Sequence, residues 1–436
     1  MRERLRSTWD DLADSLWLVP AVFTCLAAAL ALGLVALDQR VTLDDRASGS
    51  PWLFGGGAEG ARGVLTAIAG TMIGVAGTVF SITIVALQLA SSQFTPRVLR
   101  HFTGDRGNQV VLGVFIGTFT YALLVMRSVH SEAEDRVRFV PVISVSVAVV
   151  LALVAIGMLI YQIDHVAKSI QASVIVERAT GETIDAFRSI GRSSAARTSG
   201  AASPSSVGSA TWVRATDGGY LESVDVEDLL DWACRHGADV RVVPNAGAFV
   251  SPRQPVVAVR PARELSPDDE GRIRRSLVIG RERSLRADPA FGIRQITDIA
   301  LRALSPGIND PTTATMCMDR LGELLIVAAS EGGPFGDRER VSGEGRVTVA
   351  SETFDELVTG AFGQIRHYGA GDATAMVHLV TTLGTVAGLV DPAFAGPVAS
   401  EARLAVESAR GSISMPADLE RVMHAAAWAE PDRLAT

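Results

Sequence analysis

The sequence predicts an α-helical membrane protein with four transmembrane helices, followed by a cytoplasmic α+β region made of a small β-rich module and then helices. Three observations carry that prediction. Apolar residues make up 48% of the 436-residue chain and are concentrated in its first 161 positions. Within that part, four runs without a charged side chain are long enough to cross a bilayer core as helices. Beyond it the chain has an ordinary soluble composition, with room for one or two further domains.

Residues 1–15 alternate charge, with Arg2, Arg4 and Arg6 followed by acids, and read as a cytoplasmic amphipathic segment. The first span is expected at 16–37, with Trp17 at headgroup level. It is too long for a signal-peptide core and reads as a retained anchor. The further spans are expected at 63–90, 110–126 and 139–161. An amphipathic stripe through Ile163, Val166, Ile170, Val174 and Ile175 predicts that the fourth helix extends over 162–191. Residues 192–210 are rich in Ser, Ala and Gly and read as a flexible linker. The β-rich module follows at 211–265, with a short helix closed by Gly237. A helical domain is expected over 266–436, interrupted by a polar loop at 331–346.

The second span is the most distinctive stretch. At about 100° per residue, Gly63, Gly70, Gly74, Gly77, Ser81, Gln88 and Ser92 fall on one narrow face. Such a stripe calls for another helix backbone or a water-filled path against it. Gly70 and Gly74 also form a small-xxx-small packing motif.

The net charge of −8 argues against a nucleic-acid partner, since binding a phosphate backbone needs a basic surface. Cys25, Cys234 and Cys317 have neither disulfide nor zinc spacing and suit a reducing compartment. Basic residues on the two sides of the spans tie until Lys168 and Arg178 tip the count. Both termini are therefore expected in the cytoplasm of a bacterial cell, with the chain in the inner membrane.

Asp164 and His165 fall just beyond the fourth span and read as an interfacial pair contacting the loop 91–108; the sharper reading is that this carboxylate and imidazole bind a cation or sense protons, with His101 as a possible neighbour. In the soluble part, Ser305-Pro306-Gly307 ends one helix and Asp310-Pro311 starts the next. Turn chemistry accounts for these residues. The sharper alternative is a ligand or subunit contact lined by Arg302, Asn309 and Asp310. The run RERSLR, 281–286, reads as a solvated helix face or a lid over that turn, with phosphate binding as the sharper reading.

Two runs carry a resemblance: VALQLASSQFTPRVLRHFTGDRGNQVVLGVFIGTFTYALL, 85–124, and DPAFGIRQITDIALRALSPGINDPTTA, 288–314. In wording and order they resemble a bacterial family of predicted membrane proteins known as domain of unknown function 2254. The resemblance covers nearly the whole chain and implies amino-terminal spans followed by a cytoplasmic region. It implies no activity.

No GxSxG, P-loop or HExxH pattern is present, so no enzyme, cofactor or metal site is expected. The expected partners are the lipid bilayer, further copies of the chain, and ions or a small cytoplasmic ligand. Four spans are too few to enclose a path in one subunit. The sequence therefore points to a homo-oligomeric channel or gated pore lined by the second span. The alternative is a membrane-anchored receptor or scaffold in which the stripe only packs helices.

Overall fold

The computed structural model describes residues 17–40, 54–93, 105–130, 139–169, 171–194, 209–285, 288–331 and 335–430. The expected amino-terminal segment 1–15, His101 and most of the linker lie outside them. The chain divides into two units, Met1–Gln171 and Ala172–Thr436.

The first unit holds four helices long and apolar enough to cross a membrane: α1 (Leu18–Arg40), α2 (Ala58–Gln93), α3 (Arg106–Ser128) and α4 (Val142–Ser169). Their lengths exceed the roughly 20 residues a bilayer core demands. α3 is the most enclosed, with 50% of its most apolar window buried against 28% or less in the others. Val111, Phe115, Tyr121, Ala122 and Val125 on α3 meet Leu65, Ile68, Met72 and Val79 of α2 and Val145, Ala148 and Ala155 of α4 in one core. Leu26, Leu32, Val150, Leu153 and Ile160 point outward, as lipid-facing side chains do.

The helix of the fourth span stops at Ser169, and a separate helix, α5 (Ala172–Ser194), begins three residues later. Where the periodicity predicts one unbroken rod, the chain forms two helices.

The second unit opens with α5 and continues with β1 (Thr211–Arg214), β2 (Gly219–Val224), α6 (Val226–His236), β3 (Asp239–Val242), β4 (Phe249–Val250) and β5 (Pro255–Arg260). Asp225 caps α6, and Gly237 closes it in the left-handed region at φ 53°. Then come α7 (Pro267–Arg275), β6 (Leu277–Gly280), α8 (Pro289–Ala303), α9 (Pro311–Ser330), β7 (Arg338–Ser342) and β8 (Gly345–Val349). Four helices end the unit: α10 (Phe354–Gly369), α11 (Ala373–Leu389), α12 (Pro392–Ser412) and α13 (Pro416–Ala425).

Three of these strands lie where the sequence predicts helix or loop. At the start of the region expected to be helical, 266–436, the first helix ends at Arg275, and Leu277–Gly280 pairs with β2 as a strand. The expected polar loop at 331–346 is largely the β7–β8 hairpin, whose turn holds Gly343 at φ 54°. Its arginines and glutamates conceal the alternation that marks a strand. β8 then pairs in parallel with β3, more than a hundred positions earlier. That completes a five-stranded sheet in the order β1-β5-β3-β8-β7, beside a three-stranded sheet β4-β2-β6. The β-rich module is therefore closed by strands from the region expected to be helical. Val240, Val242, Val257, Val259 and Val347 form its core with Trp232 of α6. Gly345 allows α6 to approach, since a Cβ there would collide with the Cys234 backbone nitrogen.

Candidate functional site

The stripe on α2 faces away from the bundle. The helix buries Ala61, Leu65, Ile68, Met72, Ala76 and Val79, while Gly63, Gly70, Gly74, Gly77, Ser81 and Gln88 are exposed. At 3.6 residues per turn the two sets lie about 180° apart. A Cβ added at any of the four glycines would meet nothing within 4 Å. The side chain of Ser92 lies outside the described residues. The hydroxyls of Thr78 and Thr83 donate to carbonyls four residues back, Gly74 O at 3.1 Å and Val79 O at 2.9 Å. Ser81 and Gln88 have no such partner among the described residues.

Close helix packing within the chain is made elsewhere, by Gly113 and Gly117 of α3. A Cβ on Gly113 would stand 3.0 Å from Phe23 Cγ, and one on Gly117 3.4 Å from Phe23 O and 3.5 Å from Ala27 Cβ. This small-xxx-small pair seats α1 against α3. Sequence reasoning attends to Gly70 and Gly74 and passes over the same spacing in GVFIG.

Polar groups gather at both ends of the bundle. Where α1 ends and α4 begins, the buried Asp38 accepts from Ile143 N at 3.1 Å, Ser144 N at 2.9 Å and Ser144 Oγ at 2.6 Å. It thus caps a helix of another part of the chain, satisfying N–H groups that lipid could not. Tyr121 Oη donates to Ser144 O at 2.9 Å on the same turn. Nearby in sequence terms, Arg62 Nη2 donates to Val129 O at 2.8 Å, tying the start of α2 to the end of α3.

At the opposite end Asp105 caps α3, accepting from Gly107 N at 2.8 Å. Its second oxygen lies 2.9 Å from His165 Nε2 on α4. Tyr161 stacks on the imidazole with ring centroids 5.2 Å apart. One turn inward, Gln162 Nε2 donates to Asn108 Oδ1 at 2.7 Å, and both residues are buried.

Asp164, which the sequence sets beside His165, points elsewhere and pairs with Lys168 at 2.7 Å on the exposed face. Adjacent helical residues diverge by about 100°, so the imidazole finds its carboxylate across the bundle instead. Asp105 and Asp38 are not among the residues the sequence singles out. An acid directly before a span is nonetheless a helix-start signal, and Asp105 meets it.

In the second unit Arg302, Asn309 and Asp310 lie at the tip between α8 and α9. Asn309 takes the left-handed conformation at φ 51°. Asp310 caps α9, accepting from Thr313 N at 3.0 Å and Thr313 Oγ1 at 2.6 Å. Those bonds hold its carboxyl below the usual carboxylate range. Arg302 is exposed on the last turn of α8. The run 281–285 is not helical, and Arg283 forms an ion pair of 2.7 Å with the buried Asp288, the cap of α8. Among the described residues no cluster of His, Cys, Asp or Glu is arranged to hold a metal ion.

Four helices long and apolar enough to cross a membrane, followed by a mixed helix-and-strand region, define a multi-span membrane protein. The chain belongs to the family described as predicted membrane protein (DUF2254), whose model matches residues 13–385. Among its relatives is an uncharacterised protein of Mycobacterium tuberculosis (strain H37Rv), 33% identical, with 98% of this chain and 82% of the relative covered. A second, from Mycobacterium bovis, matches at the same 33% identity and the same coverage. No solved structure matches.

Proposed function

We propose that this protein is a homo-oligomeric channel or gated pore of the bacterial inner membrane, with α2 facing the axis. In this reading both termini and the soluble unit lie in the cytoplasm, where the soluble unit regulates the pore. The carrying observation is the position of the α2 stripe, opposite the face that the subunit buries. Unpartnered polar side chains in hydrocarbon cost free energy, and Ser81 and Gln88 are relieved of that cost by water or a neighbouring subunit. The open glycines would let the backbones of adjacent copies approach closely. Within one subunit the four helices share one apolar core, so a path along the α2 stripe calls for further copies.

The second reading is a membrane-anchored receptor or scaffold in which the same stripe only packs subunits together. The two readings agree on assembly and differ on conduction. The test places a single cysteine at Gly77 in a background with Cys25, Cys234 and Cys317 replaced by Ser. The pore reading expects cross-linked oligomers in membranes and a bilayer conductance that a charged thiol reagent blocks. Cross-linking without conductance under any ionic gradient leaves the receptor reading standing, and absence of both removes the stripe as a seam.

A further inference from the structure

The strap 281–285, between β6 and α8, is pinned through Arg283. Arg283 Nε donates to Asp288 Oδ2 at 2.8 Å, and Nη2 lies 2.7 Å from the same oxygen. The guanidinium also lies over the Phe291 ring, 5.1 Å from its centroid. Leu285 packs on Gly292, where a Cβ would stand 2.8 Å from Leu285 Cδ2. The loop before β4 closes over the same carboxyl. Gly247 takes φ 78° there, and a Cβ on it would collide with Asp288 Oδ2. The strap thus covers the first turn of α8, at the far end of that helix from the Asn309 tip.

The clamp closes on a carboxyl that is 1% exposed. The charged groups that act on it most are Arg283 on the strap and Glu352 ahead of α10, which opposes ionisation. Arg338 of β7 shares a cavity with Glu352 and Pro289. Next to this turn α5 brings the uncharged Thr183 and Phe187, and the β3–β4 loop brings Ala246 and Gly247. Burial outweighs Arg283, so the closed clamp favours the neutral acid and its pKa rises to about 6. Lifting the strap returns water to the carboxyl and restores an ordinary carboxylate. Closing therefore takes up a proton between those two values, and opening releases it. We propose that the strap is a proton-linked latch, tight on α8 when Asp288 is protonated and loosened when Asp288 ionises. The proposal concerns the second unit alone and stands whether or not α2 lines a pore.

The test is hydrogen exchange of the full-length protein in detergent, read by mass spectrometry as protection factors for peptides covering 281–291. In wild type, protection is expected to fall about tenfold from pH 5 to pH 8, the ratio that linkage gives for a carboxyl raised from 3.8 to about 6. Asp288→Asn is neutral throughout and keeps an oxygen for Phe291 N, so its protection factor is expected to stay constant. A wild type without pH dependence, or a variant with the same fall, would overturn the latch. So would strap peptides as protected as those of α11, since the strap would then open only with the whole unit.

Discussion

Gly113 of α3 and Phe23 of α1 approach so closely that a methyl group on the glycine would stand 3.0 Å from Cγ of the ring. On α2, by contrast, a methyl group at Gly74 would meet nothing within 4 Å. The two glycines thus separate folding of the subunit from association. Gly113→Leu is expected to destabilise the bundle by about 2 kcal/mol or more through overpacking. Gly74→Leu is expected to leave the unfolding midpoint in detergent unchanged while lowering the oligomer fraction seen by cross-linking. Equal loss of stability in both variants would contradict this division.

At the Asp105–His165 end, the cap and the contact with His165 can be dissected by substitution. Asp105→Asn keeps an oxygen for Gly107 N and replaces the oxygen facing His165 by an NH2 group, removing the charge and that acceptor together. Asp105→Ala loses both, and a missing cap alone costs about 1 kcal/mol. The unfolding midpoint is therefore expected to fall in the order wild type, Asn, Ala. If Asn matches Ala, the cap has no energetic role there.

Asp288 offers a pH signature. Burial raises its pKa to about 6, outweighing the lowering by Arg283. A carboxyl more basic in the folded state than in the unfolded chain contributes stability at acid pH and loses it as pH rises through about 6. Melting curves of wild type and Asp288→Asn from pH 4 to pH 8 are expected to move in the variant's favour with rising pH, by at most roughly 3 kcal/mol. A constant difference across that range would show that the carboxyl is not strained by its burial.

Asp310 is expected to behave in the opposite sense. Its bonds to Thr313 lower its pKa, so its contribution is present above the ordinary carboxylate range and lost as pH falls below it. Asp310→Ala is expected to cost about 1 kcal/mol at pH 7 and less at pH 3, read by thermal unfolding. Arg302→Ala, on an exposed turn, is expected to change stability by less than about 0.5 kcal/mol.

Whatever depends on local pattern could be read from the sequence. Four uncharged runs announce four spans, Asp310-Pro311 announces a helix start, and Gly237 announces a helix end. The α2 stripe was also legible as a face, because a regular helix converts spacing directly into direction. What could not be read depends on contacts between distant segments. β8 joins β3 in parallel only once the hairpin before it exists, and nothing near Gly345 signals that pairing. Asp38 looks like an ordinary loop acid until α4 is placed beside it. His165 acquires its carboxylate from a residue sixty positions earlier in the chain. The break between Ser169 and Ala172 runs against an amphipathic stripe that continues across it.

The three hydrogen bonds taken by Asp38 give the amino-terminal helix a duty that a generic anchor could not perform. Truncating α1, or exchanging it for an unrelated hydrophobic segment, would strand the first amide protons of α4 in lipid, where each unmet donor costs several kcal/mol. Inserting α4 before α1 is in place would incur the same penalty. The order in which the spans enter the bilayer during synthesis, first helix ahead of fourth, is the order in which the acceptor becomes available before its donors need it.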